Sequence, residues 1–360
     1  MPKVKIGITT RSDASIFSSG LEQNIVFLYM MLEDIGYEPS FISESPLSRV
    51  LFDIPVYQVD VNSIRNYDIV LEIAHPLSEK LTGSFNSAGK PLISIKYGNT
   101  FMSDIEKYID KGLDAADMQT GINLPFRNRE IWVSEQYFKF KDYIEVLNRS
   151  NVKIIPYIWD PCILMKHDNK FHLKNMLIER KDFKKIAIVE PNLNMTKNCM
   201  VPLSICEMAY DKSNTAIEEV LCFGAKVFEK NNVFLSFINN LNIHKNKVSS
   251  YEARYPIHNV FSKNYANTIV STQLFNEQNY VYLETLFYKR LLVHNSPMFR
   301  DVGYYYPDYN INIASDRLLE AIDSFDQVKA QDSYESKLEE LSIYNKKNQQ
   351  LTAELIESVL

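Results

Sequence analysis

Apolar residues along the chain come in short runs separated by polar loops, and two kinds of run alternate. Residues 3–9 predict a strand, and a polar loop over 10–19 follows. Leu21, Ile25, Leu28, Met31 and Leu32 then recur at helical spacing, predicting a helix over 21–35 with Gly36 as its C-cap. Further strands are predicted at 38–43, 68–74, 91–96, 130–134 and 152–156, with helices at 77–87, 103–111 and 138–148. Such alternation predicts a parallel sheet covered by helices on both faces. Tyr157-Ile-Trp-Asp-Pro161 breaks the periodicity and reads as a hinge.

The pattern restarts after 162–182, a connector. Strands are predicted at 185–189, 233–238, 268–271 and 291–294. Helices are predicted at 199–209, 215–230, around 262–265 and at 318–325. The division is therefore a first α/β domain at 1–161, a second at 183–330, and a tail at 331–360. The tail places Leu338, Leu341, Leu351, Leu355 and Val359 on about one face and predicts an amphipathic helix. Two βαβ arrays joined by a hinge predict a ligand cleft between domains.

One stretch carries more than fold. The strand beginning at Thr268 breaks into the polar loop Asn276-Glu277-Gln278-Asn279, then continues as an apolar helix ending in Glu284. A strand feeding a loop feeding a helix is how open α/β sheets build ligand sites. The helix start favours an anion. The segment Glu190-Pro-Asn-Leu-Asn-Met-Thr-Lys197 after strand 185–189 reads as a loop.

Composition narrows the class. Hydrophobic content of 46% and charged content of 23% suit a globular chain with sizeable cores. No run approaches a membrane span, and the N-terminus enters a strand without a signal peptide, so a cytoplasmic location is expected. Cys162, Cys199, Cys206 and Cys222 lack C-x-x-C spacing and read as free thiols. Net charge is −6. Basic and acidic residues number 15 and 20 over 1–150, 19 and 15 over 151–315, and 5 and 10 over 316–360. The mildly basic middle suits a bound anion such as a nucleotide, and no surface of a tight duplex binder is evident. Nothing signals an oligomeric state.

Four segments, in order, carry a resemblance. Ser19-Gly20-Leu-Glu-Gln-Asn is similar to the glycine-led first loop and helix of GT-B glycosyltransferases. Glu190–Lys197 stands where their second domain holds diphosphate. Asn276 and Glu284 sit where the retaining enzymes have Glu-x7-Glu, with a glutamate one place late at Glu277. Leu291-Leu-Val-His-Asn-Ser296 resembles the strand after that helix. The segments Glu190–Met200 and Gln273–Pro307 resemble a glycosyltransferase-like family of bacteria and tailed phages.

The resemblance implies a GT-B fold, two Rossmann-like domains, and transfer of a hexosyl or pentosyl group from a nucleotide sugar, UDP-linked, to a hydroxyl. It implies retention of configuration and no cofactor or metal, since no Asp-x-Asp stands at a strand end. Expected donor-binding residues are Gly20, Asn192, Asn194, Lys197, Arg254, Asn276, Glu277, Gln278, Asn279, Tyr280 and Glu284, with Glu284 on the ribose hydroxyls. Arg254-Tyr255-Pro256 is expected beside the base. Glu277, His75 and Lys197 are the catalytic candidates. The acceptor expected is a hydroxymethylated base, 5-hydroxymethylcytosine, in phage DNA; a bacterial surface glycan is the alternative. A nucleotide-sugar 2-epimerase and a non-catalytic nucleotide-sugar-binding protein remain competing readings on the same fold.

Overall fold

The structure is a computed structural model that describes residues 3–10, 16, 20–45, 50–73, 75–111, 127–192 and 194–360. The chain divides into two units, Met1–Asp160 with Glu339–Leu360, and Pro161–Leu338.

The first unit contains strands β1 (Lys5–Thr9), β2 (Glu38–Ser43), β3 (Val50–Leu51), β4 (Ile54–Gln58), β5 (Ile69–Ile73), β6 (Leu92–Lys96), β7 (Glu130–Ser134) and β8 (Asn151–Ile155). Its helices are α1 (Gly20–Asp34), α2 (Glu79–Ser87), α3 (Thr100–Lys111) and α4 (Lys141–Asn148). Among the described residues the sheet order is β3-β4-β2-β1-β5-β6-β7-β8. Every pairing is parallel except β3 with β4. The strands at 50–51 and 54–58 were not anticipated by periodicity. α1 ends as expected of a left-handed cap. Gly36 has φ +97°, and the Tyr37 N–H donates to Leu32 O at 3.0 Å. Ser19 and Ala74, expected in the first loop and at the end of β5, lie outside the described residues, as does Leu193.

The second unit runs α5 (Cys162–Phe171), β9 (Lys185–Val189), α6 (Met200–Lys212), β10 (Glu219–Phe223), α7 (Asn232–Ile238), α8 (Asn242–Lys245) and β11 (Ser249–Glu252). It continues through α9 (Ile257–Ser262), β12 (Thr268–Val270), α10 (Tyr280–Phe287), β13 (Leu291–His294), β14 (Tyr304–Tyr305), α11 (Ile311–Ser324) and α12 (Gln327–Glu340). The sheet order is β11-β10-β9-β12-β13-β14, parallel throughout.

Two assignments made from periodicity are corrected here. The stretch 215–230, expected as a helix, contains β10, whose residues Val220–Phe223 are all buried. A strand buried on both faces shows no alternation, so its apolar run fits either template. The stretch 233–238, expected as a strand, is α7. Asn231 caps it by accepting from the Phe234 N–H at 3.0 Å, a local signal that outweighs its β-branched and aromatic composition.

The tail also differs from the single helix expected. α12 and α13 (Lys346–Glu357) are separate, and Asn345 caps the second by accepting from the Lys347 N–H at 3.0 Å. α13 packs on the first unit. Gln349 Nε2 donates to Asp34 Oδ2 at 2.6 Å, and Lys153 Nζ lies 3.0 Å from Ser358 Oγ. The Trp159 N–H donates to Leu341 O at 2.8 Å, and the Trp159 ring meets Phe27 edge-on.

Candidate functional site

In the second sheet the chain leaves β9 toward β10 and β11, then returns past β9 to lay down β12, β13 and β14. The crossovers therefore diverge between β9 and β12, and a crevice opens beyond the carboxyl ends of those strands. Two residues stand there, Glu190 directly after β9 and Ser271 directly after β12. The Ser271 hydroxyl donates to Glu190 Oε1. It also lies 3.3 Å from Tyr282 Oη and 3.4 Å from Asn279 Nδ2.

The loop after β9 is built to hold its shape. Asn192 has φ +55°. Its Nδ2 donates to Glu190 O at 2.9 Å, and its Oδ1 accepts from the Cys199 N–H at 2.8 Å. Its carboxamide thus braces the loop. Asn194 and Lys197 pair in a short antiparallel bridge. Thr196 Oγ1 donates to Asn194 Oδ1 at 2.7 Å and accepts from Asn276 Nδ2 at 3.3 Å. The Leu274 N–H donates to Thr196 O at 2.9 Å. These bonds join the loops after β9 and β12 into one wall.

Lys197 completes the wall. Its Nζ donates to Gln278 O at 3.1 Å, just ahead of α10. Burial pulls the Lys197 ammonium down from its ordinary range, Glu190 pulls it back up, and Arg254 adds a further downward push. α10 is capped by Asn279, whose Oδ1 accepts from the Val281 N–H at 3.3 Å. The helix begins at Tyr280, and its positive end faces the same place as Lys197. Tyr280 and Glu284 are one turn apart on the half-exposed side of α10, while Tyr282, Leu283 and Leu286 are buried. Glu277 is half-buried, and its carbonyl accepts from Ser296 Oγ at 3.1 Å.

The structure thus brings Asn194, Lys197, Asn276, Gln278 and Asn279 into one bonded set, with Glu277 alongside and Arg254 in electrostatic reach of Lys197. Tyr255, expected beside a base, packs against Phe223 and Tyr265 at centroid distances of 5.9 and 6.3 Å, with Lys263 Nζ 5.1 Å above its ring. Gly20 and His75 belong to the first unit. Gly20 opens α1 after β1, and His75 follows β5, the strand next to β1. β1 and β5 bound the switch point of that sheet, since β2 and β4 lie on one side and β6 to β8 on the other.

Glu190 was given no role from the sequence. It is 1% exposed, and its Oε2 has no hydrogen-bond partner. Burial pushes its carboxyl up, to about 7, against the opposing effects of Ser271, Lys197 and the Thr272 N–H. An acid directly after an apolar strand was the signal available. His294, buried at the end of β13, has a structural task. Its Nδ1 accepts from the Ser296 N–H at 3.1 Å, so the neutral ring donates from Nε2 to Val302 O at 2.9 Å.

Among the described residues no group of three or more His, Cys, Asp or Glu side chains is placed to hold a metal ion. No described helix is long and apolar enough to cross a membrane. Cys199, Cys206 and Cys222 are buried free thiols, and Cys162 is half-buried.

The fold is shared with solved glycosyltransferases. Anabaena HepE, crystallised with UDP-glucose, matches with a TM-score of 0.60 at 12% identity over 98% of this chain and 99% of that one. A Staphylococcus aureus TarM mutant, in complex with Fondaparinux, alpha-GlcNAc-glycerol and UDP, matches with 0.53 at 16% identity, over 79% of this chain and 54% of that one. This chain thus spans about half the length of TarM. A DNA-modifying beta-glucosyltransferase matches with 0.53 at 13% identity over 99% of both chains. No curated protein matches the sequence. At these identities the likeness establishes the fold, which is α/β of the GT-B type with two Rossmann-like halves. A family profile matches residues 4–356, and the chain belongs to that family, described as "Protein of unknown function (DUF2827)".

Proposed function

We propose that the chain is a glycosyltransferase that moves a sugar from a UDP-linked donor to a hydroxyl. The observation that carries this reading is the placement of Lys197 against the start of α10 at the β9/β12 switch point. A nucleotide sugar leaves behind a diphosphate, and negative charge builds on its oxygens as the glycosidic bond breaks. An ammonium and a helix N-terminus fixed beforehand at that place stabilise the developing charge. Glu284 accepts from the ribose hydroxyls through two carboxylate oxygens. Asn276 or Glu277, one of the two, contacts the donor sugar. In the first unit the candidates are Gly20, through its N–H, and His75, through its ring. Support also comes from UDP and UDP-glucose in the HepE structures of the same fold.

Transfer proceeds with retention and without a divalent ion, because the fixed cationic wall takes the place of a metal at the diphosphate. The acceptor to test first is 5-hydroxymethylcytosine in DNA. The resemblance to a family that includes tailed phages favours it, and a DNA-modifying glucosyltransferase shares the fold. The acidic balance of residues 1–150 weighs against it and favours a glycan acceptor.

The test is a thermal-shift screen with UDP-, GDP- and ADP-sugars, followed by transfer assays with the stabilising donor. A UDP-sugar should raise the melting temperature, and the product anomer should match the donor by NMR with EDTA present. Loss of turnover in EDTA or an inverted anomer overturns the metal-free retaining assignment. Isomerised free nucleotide sugar without transfer would make the protein an epimerase.

A further inference from the structure

Glu190 stands directly after β9, at the switch point between β9 and β12. Its Oε1 accepts from the Ser271 hydroxyl, the Thr272 N–H also favours the charged carboxylate, and Oε2 is buried without a close hydrogen-bond partner. The nearest cation, Lys197, gives its hydrogen bond to Gln278 O and not to this carboxylate. Among the described residues Lys197 is the charged group that acts on Glu190. Tyr282 from α10, Tyr306 beyond β14 and Cys222 from β10 all face Glu190, and burial together with Glu190 itself holds each of them neutral. Arg254 also acts on Lys197, and its charge pulls the ammonium further down. Lys197 is thus the ammonium on which both the buried carboxylate and a diphosphate at the start of α10 would draw.

We propose that Glu190 is a positioning residue for the nucleoside diphosphate, acting through Lys197, and that it takes up a proton from solvent at Oε2 when the diphosphate binds. This rests on the donor-site reading above. In the free protein the ionised carboxylate helps keep Lys197 charged despite its burial. An arriving diphosphate claims that ammonium and sets a second anion against the first. Two buried anions cannot share one cation, so the one with a vacant oxygen accepts a proton. On diphosphate release the proton returns to solvent and Lys197 regains its internal counter-ion. The neutral carboxyl still meets Ser271, whose hydroxyl can donate or accept.

The proton count is measurable by titrating UDP calorimetrically in buffers of different ionisation enthalpy between pH 7.5 and 8.5, where the UDP diphosphate is largely ionised, with the residual proton on free UDP subtracted. The wild type should take up approaching one proton per UDP, and its affinity should fall by up to roughly tenfold per pH unit. Glu190→Gln should bind UDP without proton uptake, with little pH dependence, and more tightly than wild type at pH 8.5. Ser271→Ala should move the midpoint of the affinity profile upward, because it removes a donor to the ionised form. Zero uptake by the wild type overturns the proposal without recourse to any variant. So does undiminished uptake in Glu190→Gln, which would place the proton on Lys197. Failure of the wild type to bind UDP, GDP or ADP at any pH is a different result and removes the donor site itself.

Discussion

Lys197 Nζ lies 3.1 Å from the carbonyl oxygen of Gln278, a bond between residues 81 positions apart. It fixes the one lysine of the β9 loop against the start of α10. Replacing Lys197 with alanine removes a preorganised donor and should lower kcat by about a hundredfold or more. Steady-state transfer from the donor found in the screen checks this. A variant with unchanged kcat takes Lys197 out of the mechanism.

Glu284 is expected to read the ribose. Wild-type protein should bind UDP more tightly than 2′-deoxy-UDP, and Glu284→Ala should lose about 10- to 100-fold in UDP affinity, the worth of one or two hydrogen bonds to a charged group. The variant should also bind the two nucleotides equally. Persistence of the 2′-hydroxyl preference in Glu284→Ala would assign the ribose to another residue.

His294 should mark itself in the stability profile. Burial holds its ring at about 4, below the ordinary 6.5. A depressed folded value means that the unfolded chain binds the proton first. Stability is therefore full above pH 6.5 and lost progressively as pH falls toward 4. Between pH 8 and pH 5 the loss from this one group is about 2 kcal/mol. Glu190, with a raised value, works in the opposite sense by losing stability as pH rises through about 7. Urea melts of wild type and His294→Gln share the Glu190 contribution, so the difference between their pH profiles isolates the histidine. Parallel profiles would contradict the neutral buried ring.

Gly224, directly after β10, has φ +83°, and a Cβ there would come within 2.5 Å of Glu190 O. Alanine at this position meets both an unfavourable backbone region and a backbone atom that cannot yield. It should destabilise the protein by about 2 kcal/mol or more and weaken UDP binding by shifting the loop that carries Lys197. Denaturant midpoints and UDP titrations measure the two effects, and an alanine variant with wild-type values for both would show that the loop relaxes freely.

Local order was readable where period and cap agreed. α1 with Gly36, and the strand-loop-helix from Thr268 to Glu284, follow from side-chain spacing and turn chemistry alone. β10 and α7 did not, because a strand buried on both faces and a short helix rich in Val, Phe and Ile each carry the composition of the other state. The pairings of Asn276 with Thr196 and of Lys197 with Gln278 join positions about 80 residues apart, and no local pattern encodes them. Glu190 escaped notice for a related reason. Its meaning depends on Ser271 and on the order of strands in the sheet, neither of which a linear reading supplies.

The last helix has a consequence for how this molecule can be taken apart. Because Glu339–Leu360 rejoins the first unit, the half that carries Lys197 and Glu284 is a continuous cassette, whereas its companion is assembled from two separated pieces of chain. Residues 161–338 can be exchanged between family members as a single block with two junctions. A fragment ending at Asp160 would lack the α13 surface that covers α1 and β8, so reconstituting that half from gene fragments calls for a linker that carries the tail back to Asp160.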